Sequence, residues 1–420
     1  MKVVCFGPGP AFKGGISNYN TSLAKALSSF DGVEVDIVSW TQQYPGIVPR
    51  DFKDRVSQMN FLEGTQIRTH YLTNYNDPFS WKATARLMAN LKPDIVIFQW
   101  SIAIQGLPVG RIIRQLKKMW QCEVILDLHF VIQKEQSTID RIFTKMGISG
   151  ADTYIVHALK TFEELKTLYP ARKFHLTYDG QRSIGKETTV IKLFHPIYDL
   201  YKPDPNFDVE AFKQKYGLGG KVILFFGFIR KYKGLHQVIE SFSKVAAKRD
   251  DVSLLICGES FWNTLDPGNI ITRMKKLIFG LAKKVLLRSG DDEADYKPLA
   301  LIDQLGLGQR VVVFNEFIPN EDVHKYFQVS DCVVLYYLTA TPSGIESLSY
   351  NFDLPILATR VGHFPETIQD GTNGYLADET LESMAATMEK MLDHPIDRSG
   401  VAAMKANMSW KSYAGAILKR

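Results

Sequence analysis

The 420-residue sequence predicts an α/β protein of two doubly wound, parallel-sheet domains, and three observations predict it. Short β-branched runs alternate with longer amphipathic stretches through the first third of the chain, which calls for crossover connections and therefore parallel strands. The same βα rhythm resumes beyond residue 220. Between the two halves, His195 to Asp208 reads HPIYDLYKPDPNFD, three prolines among polar residues, as a domain boundary does. Residues 1–200 and 201–406 are thus expected as separate domains, with 407–420 as a terminal segment. At 45% apolar content the chain can fill two cores of ordinary size.

In the first half, Lys2 to Phe6, Val33 to Val38, Ile67 to Leu72, Asp94 to Phe98, Glu123 to Leu126 and Thr153 to Val156 read as strands. Ile16 to Ser29 and Ile104 to Trp120 read as amphipathic helices. Ligands in such sheets bind at the strands' carboxyl ends. The first of these ends is Gly7-Pro8-Gly9-Pro10-Ala11-Phe12-Lys13-Gly14-Gly15, where glycine lets backbone approach a phosphate closely. A dinucleotide GxGxxG does not fit that spacing, and Asp36 lies within its strand instead of at the end. Further strand ends supply Gln99-Trp100 and Asp127-Leu128-His129; a lone histidine there is commonly structural. Residues 174 to 194, two β-prone runs around Gly180 and Gly185, read as a hairpin or irregular lid.

The second half opens with a buried strand from Lys221, followed by a basic turn holding Arg230 and Lys233 between Gly227 and Gly234. Two cations at a strand's carboxyl end suit a diphosphate through charge-assisted hydrogen bonds, and a solvated basic loop is the plain alternative. Ser253 to Gly258 and Val311 to Phe314 are further strands, separated by an insertion. A loop from Asn315 to Val323 then leads into a helix containing Tyr326 and Phe327. Cys332 to Tyr336 and Leu354 to Ala358 read as buried parallel strands. Between them, Thr339 to Gly344 turns into the helix Ile345 to Phe352, aiming the backbone N–H groups around Ser343, Gly344 and Ile345, with the positive end of the helix dipole, above the sheet edge.

Composition excludes several classes. A net charge of +5 with interspersed signs lacks the concentrated basic face of a dedicated nucleic-acid binder, but leaves room for anionic substrates or a membrane surface. Cys5, Cys122, Cys257 and Cys332 show no metal or disulfide spacing and read as reduced thiols. The chain starts directly as a strand and no apolar run approaches eighteen residues, so a cytoplasmic protein without a transmembrane helix is expected. Asp127-Leu128-His129 is not an Asp-x-Asp metal signature, and Asp291-Asp292-Glu293 reads as a solvated face; no metal is expected.

Residues 330 to 376 resemble the donor-binding region of the retaining glycosyltransferases of the GT-B fold, in particular glycosyltransferase family 4. The matching parts are an apolar strand, a Gly-containing loop, a helix before Asp353-Leu354-Pro355, a second strand, Val361-Gly362, Pro365-Glu366 and Asn373-Gly374. Gly14-Gly15 with its following helix, and Lys233 before Gly234, also match the family in position, while Arg230 is displaced by two residues. The resemblance implies two Rossmann-like domains facing across a cleft, with the terminal helix 407–420 crossing back onto the first. It implies a nucleotide-sugar donor held by Gly14, Gly15, Arg230, Lys233, Ile318, Ser343, Gly344, Ile345 and Glu366, a glycan or lipid-linked acceptor, no cofactor, and His129 near the transferred sugar. The expected reaction is glycosyl transfer with retention, in cell-surface polysaccharide or glycoconjugate synthesis.

One departure matters. The family's two glutamates, separated by seven residues, have no acidic counterpart at Ala340/Thr341 and Leu348/Ser349. Glu346 is the nearest carboxylate and the candidate for the sugar or ribose hydroxyls, with a solvent-facing helix residue as the equal alternative. The vacancy also favours a second reading, a catalytically silent sugar-nucleotide-binding subunit. Finally, Arg273 to Arg288 in the insertion has a basic amphipathic pattern, which suits either packing on its own domain or peripheral contact with an anionic bilayer.

Overall fold

The computed structural model describes residues 1–46, 48, 52–132, 138–260, 296–342 and 344–419. The insertion containing 273–288 and the residue Ser343 lie outside the described residues.

Two parallel sheets form the framework. The first contains β1 (Lys2–Phe6), β2 (Glu34–Gln42), β3 (Arg68–Asn74), β4 (Ile95–Trp100), β5 (Glu123–Leu128), β6 (Thr153–Val156), β7 (Phe174–Thr177) and β8 (Thr188–Lys192), in the spatial order β3-β2-β1-β4-β5-β6-β8-β7. The second contains β9 (Lys221–Phe226), β10 (Val252–Cys257), β11 (Val311–Phe314), β12 (Cys332–Leu335), β13 (Ile356–Thr359) and β14 (Gly374–Ala377), in the order β11-β10-β9-β12-β13-β14. Each order reverses beside its first strand, at β1/β4 and at β9/β12. These are the topological switch points at which a doubly wound sheet opens a crevice for ligand.

The central strands are covered on both faces, so their sequences are apolar throughout instead of alternating; Val3, Val4, Cys5 and Phe6 of β1 are all buried. The expectation of a hairpin or lid at 174–194 is corrected: β7 and β8 pair in parallel and extend the first sheet, β8 lying against β6. The ends of these two runs are joined by a connection long enough to return the chain, which a tight hairpin could not do for parallel strands.

One apolar core runs through both domains. Tyr19 and Leu23 of the helix Gly15–Ser28 belong to it, together with Trp410 and Ile417 of the helix Trp410–Leu418 and Leu348 and Tyr350 of the helix Gly344–Asn351. The helix Trp410–Leu418 lies against the first domain: Trp410 Nε1 donates to the Ile197 carbonyl at 2.6 Å, and the Tyr413 hydroxyl donates to Asp127 Oδ2 at 3.1 Å. Separate cores fill the outer face of each sheet. The four cysteines are free thiols, three of them buried in β1, β10 and β12. Among the described residues no helix is long and apolar enough to cross a membrane.

Candidate functional site

The two switch points open onto one cavity of about 290 Å³ between the sheets. The first domain contributes Phe12, Gly14, Gly15 and Asn18 from the β1 turn and helix, with Asp54 from the β2–β3 connection. The interdomain strap contributes Tyr198 and Tyr201. The second domain contributes the turn after β9, the strand ends at Gly258-Glu259 and Glu316-Phe317-Ile318, and the loop and helix at Thr341, Pro342, Gly344, Ile345 and Leu348.

Lys233 is the cation of this cavity. It closes a single 3-10 turn after β9, and its ammonium folds back over Gly227, whose φ of 94° only glycine adopts without strain. A Cβ at 227 would lie 2.9 Å from Lys233 Nζ, so the glycine makes the space the ammonium uses. Burial, and secondarily the charge of Arg230, pull the Lys233 pKa down to about 7. Among the described residues no carboxylate stands within ion-pair distance of it. An ammonium held this way gains from an anion entering the cavity.

The helix Gly344–Asn351 points its N-terminal end at the same space. Gly344 is required by the strap: a Cβ there would meet the Tyr198 ring at 2.6 Å. Tyr198 in turn donates its hydroxyl to the Gly15 carbonyl at 2.8 Å, tying the two glycine turns together. A polar chain crosses the cleft beside them, Asn18 Nδ2 donating to the Tyr201 hydroxyl at 2.5 Å and that hydroxyl to Asn320 Oδ1 at 2.8 Å. Lys13 lies 4.6 Å above the Phe317 ring. Tyr198 and Tyr201 were hidden in the sequence because they sit in the proline-containing boundary, which reads as linker; their only signal is that two large aromatics are unusual in an exposed connection.

The expected site residues divide into two groups. Gly14, Gly15, Lys233, Ile318, Gly344 and Ile345 line the cavity. Arg230 is outside the lining, half-buried, with its guanidinium 5.3 Å from the Tyr232 ring centre, and it acts on Lys233 through charge. His129 lies behind the lining: Nε2 is 2.9 Å from Gln99 Oε1, and burial lowers its pKa to about 4. It packs with Tyr19, His157 and His195 in a buried aromatic cluster. Glu366 accepts from the Leu159 amide at 3.3 Å and lies 3.8 Å from Lys192 Nζ, a link between domains away from the cavity.

Glu346 is not the solvent-facing helix residue of the alternative reading: it is 1% exposed, with Oε2 2.5 Å from His363 Nε2, and it stands outside the cavity lining. The reason is helical period: Gly344, Ile345 and Leu348 face the cavity, and the following position turns about 100° away. Among the described residues, no His, Cys, Asp or Glu cluster has a metal-holding arrangement.

Fold and site together define a two-domain protein of the GT-B architecture. Residues 207–409 match the family Glycosyl transferases group 1, so the second domain is a glycosyltransferase group 1 domain. The chain is 22% identical over 409 residues to a D-inositol 3-phosphate glycosyltransferase of Corynebacterium aurimucosum, covering 92% of this chain and 84% of that protein. It is also 22% identical over 169 residues to spore coat protein SA of Bacillus subtilis, where the match spans 40% of this chain and only 38% of the relative. Among solved structures, Anabaena Alr3699/HepE in complex with UDP and glucose superposes with a TM-score of 0.62 at 16% identity, covering 100% of this chain and 96% of that one. Sucrose-phosphate synthase from Thermosynechococcus elongatus gives 0.59 at 15% identity, covering 99% and 94%.

Proposed function

We propose that this chain transfers a glycosyl group from a nucleotide-sugar donor to a glycan or lipid-linked acceptor, with retention at the anomeric carbon. The observation that carries the reading is the buried ammonium of Lys233 beside the N-terminal end of the Gly344–Asn351 helix, two anion-seeking features converging on one interdomain cavity. The names of the relatives support the class of reaction, and one structural neighbour is described with UDP and glucose bound.

Lys233, with the amides at Gly344 and Ile345, would stabilise the negative charge that develops on the departing diphosphate. The nucleoside would lie toward Glu316 to Ile318, and the acceptor toward the first domain. No enzymic nucleophile is invoked, because the leaving diphosphate can itself take the acceptor proton on the same face. No bound cofactor or metal is part of this reading. Membership in a cell-surface polysaccharide or glycoconjugate pathway, and a cytoplasmic location, complete the proposal.

A sugar-nucleotide-binding subunit without turnover is the second reading, favoured by the engagement of Glu346 with His363. Donors carrying a radiolabelled sugar, offered with glycan and polyprenyl-lipid acceptors, separate the two. Labelled product with the donor's anomeric configuration supports transfer. Saturable nucleoside diphosphate binding without turnover supports the silent subunit, and absence of binding overturns both.

A further inference from the structure

Four helices pack on the outer face of the first sheet; Leu159–Leu168 carries balanced charge, and the other three are Pro78–Leu91, Gly106–Met119 and Thr138–Ile148. They lie side by side, the last two closely, since Gly106 and Gly110 pack against the carbonyls of Phe143 and Met146. Their inward stripes are buried in the sheet's outer core. Their outward stripes have a shared composition.

On the first helix the exposed positions are Pro78, Phe79, Lys82, Arg86 and Asn90; on the second, Leu107, Arg111, Arg114, Lys117, Lys118 and, at its far end, Met119; on the third, Thr138, Arg141, Ile142 and Lys145. The three helices hold eight cations and one carboxylate, Asp140, a net +7 where the whole chain carries +5. Charge balance elsewhere therefore conceals a concentrated basic face. Among the described residues, Lys117 alone of these cations is paired with a carboxylate, Asp152 at 2.6 Å.

Apolar groups interrupt the same face. Phe79 is 85% exposed, Ile142 52% and Leu107 38%. All three fall in the first turn and a half of their helices. These helices follow strands β3, β4 and β5, so their N-terminal ends lie at the sheet's carboxyl edge, the edge where the cleft opens. An exposed phenylalanine at the tip of a basic surface serves no internal packing.

We propose that this face docks the protein on an anionic phospholipid bilayer, with Phe79, Leu107 and Ile142 entering the headgroup boundary and the surrounding cations meeting lipid phosphates. The pairing of the two features selects this occupant. A nucleic acid would use the cations but leave the three apolar groups in water, and a protein partner gives no reason for so uniform a charge. Docking would set the first-domain rim of the cleft against the membrane, where a lipid-linked acceptor is presented. The inference stands apart from the catalytic reading, because the face contains no residue of the cavity.

The test is sedimentation of the full-length protein with phosphatidylglycerol-containing vesicles and with pure phosphatidylcholine vesicles, at low and high salt. Binding to the anionic vesicles at low salt, weakened at high salt and absent on phosphatidylcholine, is expected. Each cation removed should lower partitioning about fivefold, so Lys82→Glu/Arg111→Glu/Lys118→Glu/Arg141→Glu should abolish it with an unchanged melting temperature. A Phe79→Trp variant should gain indole fluorescence that brominated phosphatidylglycerol quenches beyond the wild-type response. Replacing the six basic residues within 273–288 should leave binding in place. Wild-type protein remaining in the supernatant, undiminished binding by the charge-reversed variant, an unquenched added indole, or retention of a DNA duplex in place of vesicles would each overturn the proposal.

Discussion

The Glu346 carboxylate lies 2.5 Å from His363 Nε2, both side chains 1% exposed, and this pair ties the first turn of the cradle helix to the loop that follows β13. Among the described residues, the second carboxylate oxygen of Glu346 and Nδ1 of His363 have no hydrogen-bond partner. The pair holds the helix against that loop within the second domain.

Glu346→Ala should destabilise the protein by about 3 to 5 kcal/mol, since it leaves a buried imidazole without its partner. Glu346→Gln keeps an amide against the imidazole, and should fold with a donor KM within about threefold of wild type. Denaturant melts and steady-state kinetics check this. A folded Gln variant that had lost turnover would show that the carboxylate reaches substrate after all.

Lys233 gives a pH dependence. Its pKa, pulled down to about 7 by burial and by Arg230, means that the cavity loses its cation as the pH rises beyond neutrality. A diphosphate binds the protonated form, so donor affinity should be steady below pH 7 and fall by up to tenfold per pH unit above it. Lys233→Met should remove that slope and weaken the donor by about ten- to a hundredfold. The same variant should melt higher than wild type in the absence of donor, because a buried ammonium without a carboxylate partner is a cost. Isothermal titration with nucleoside diphosphates from pH 6 to 9 reads the slope.

Gly344 and Tyr198 should be coupled. The Cβ of Gly344→Ala would stand 2.6 Å from the Tyr198 ring, pushing the cradle helix or the strap by enough to cost about 1 to 3 kcal/mol. Adding Tyr198→Leu should restore part of the donor affinity that Gly344→Ala loses. A double-mutant cycle with additive effects would refute the contact's role.

His129 predicts acid sensitivity. Burial holds its pKa near 4, so between pH 6.5 and 4 the unfolded chain binds the extra proton and stability falls with pH by about 3 kcal/mol. His129→Gln should flatten that window in denaturant titrations. An unchanged acid profile would mean that water reaches the imidazole.

The linear sequence determined the parts of this protein that depend on neighbours along the chain. Apolar runs such as Val3 to Phe6 and Val222 to Phe225 could be read as buried strands because crossover helices cover both faces of a parallel sheet. Gly14, Lys233 and Gly344 could be picked out because strand-to-helix turns of that composition recur at switch points. What the tertiary structure decided were the relations across the chain. It turned Glu346 inward by one helical step, set Tyr198 and Tyr201 from an apparent linker into the cavity wall, and made β7 and β8 parallel partners. It also gathered eight scattered cations onto one face of a chain whose overall charge is only +5. Periodicity fixes which side of an element is apolar, but what that side meets depends on groups brought together from distant parts of the chain. For that reason burial, pKa and surface charge belong to the fold and not to any segment of it.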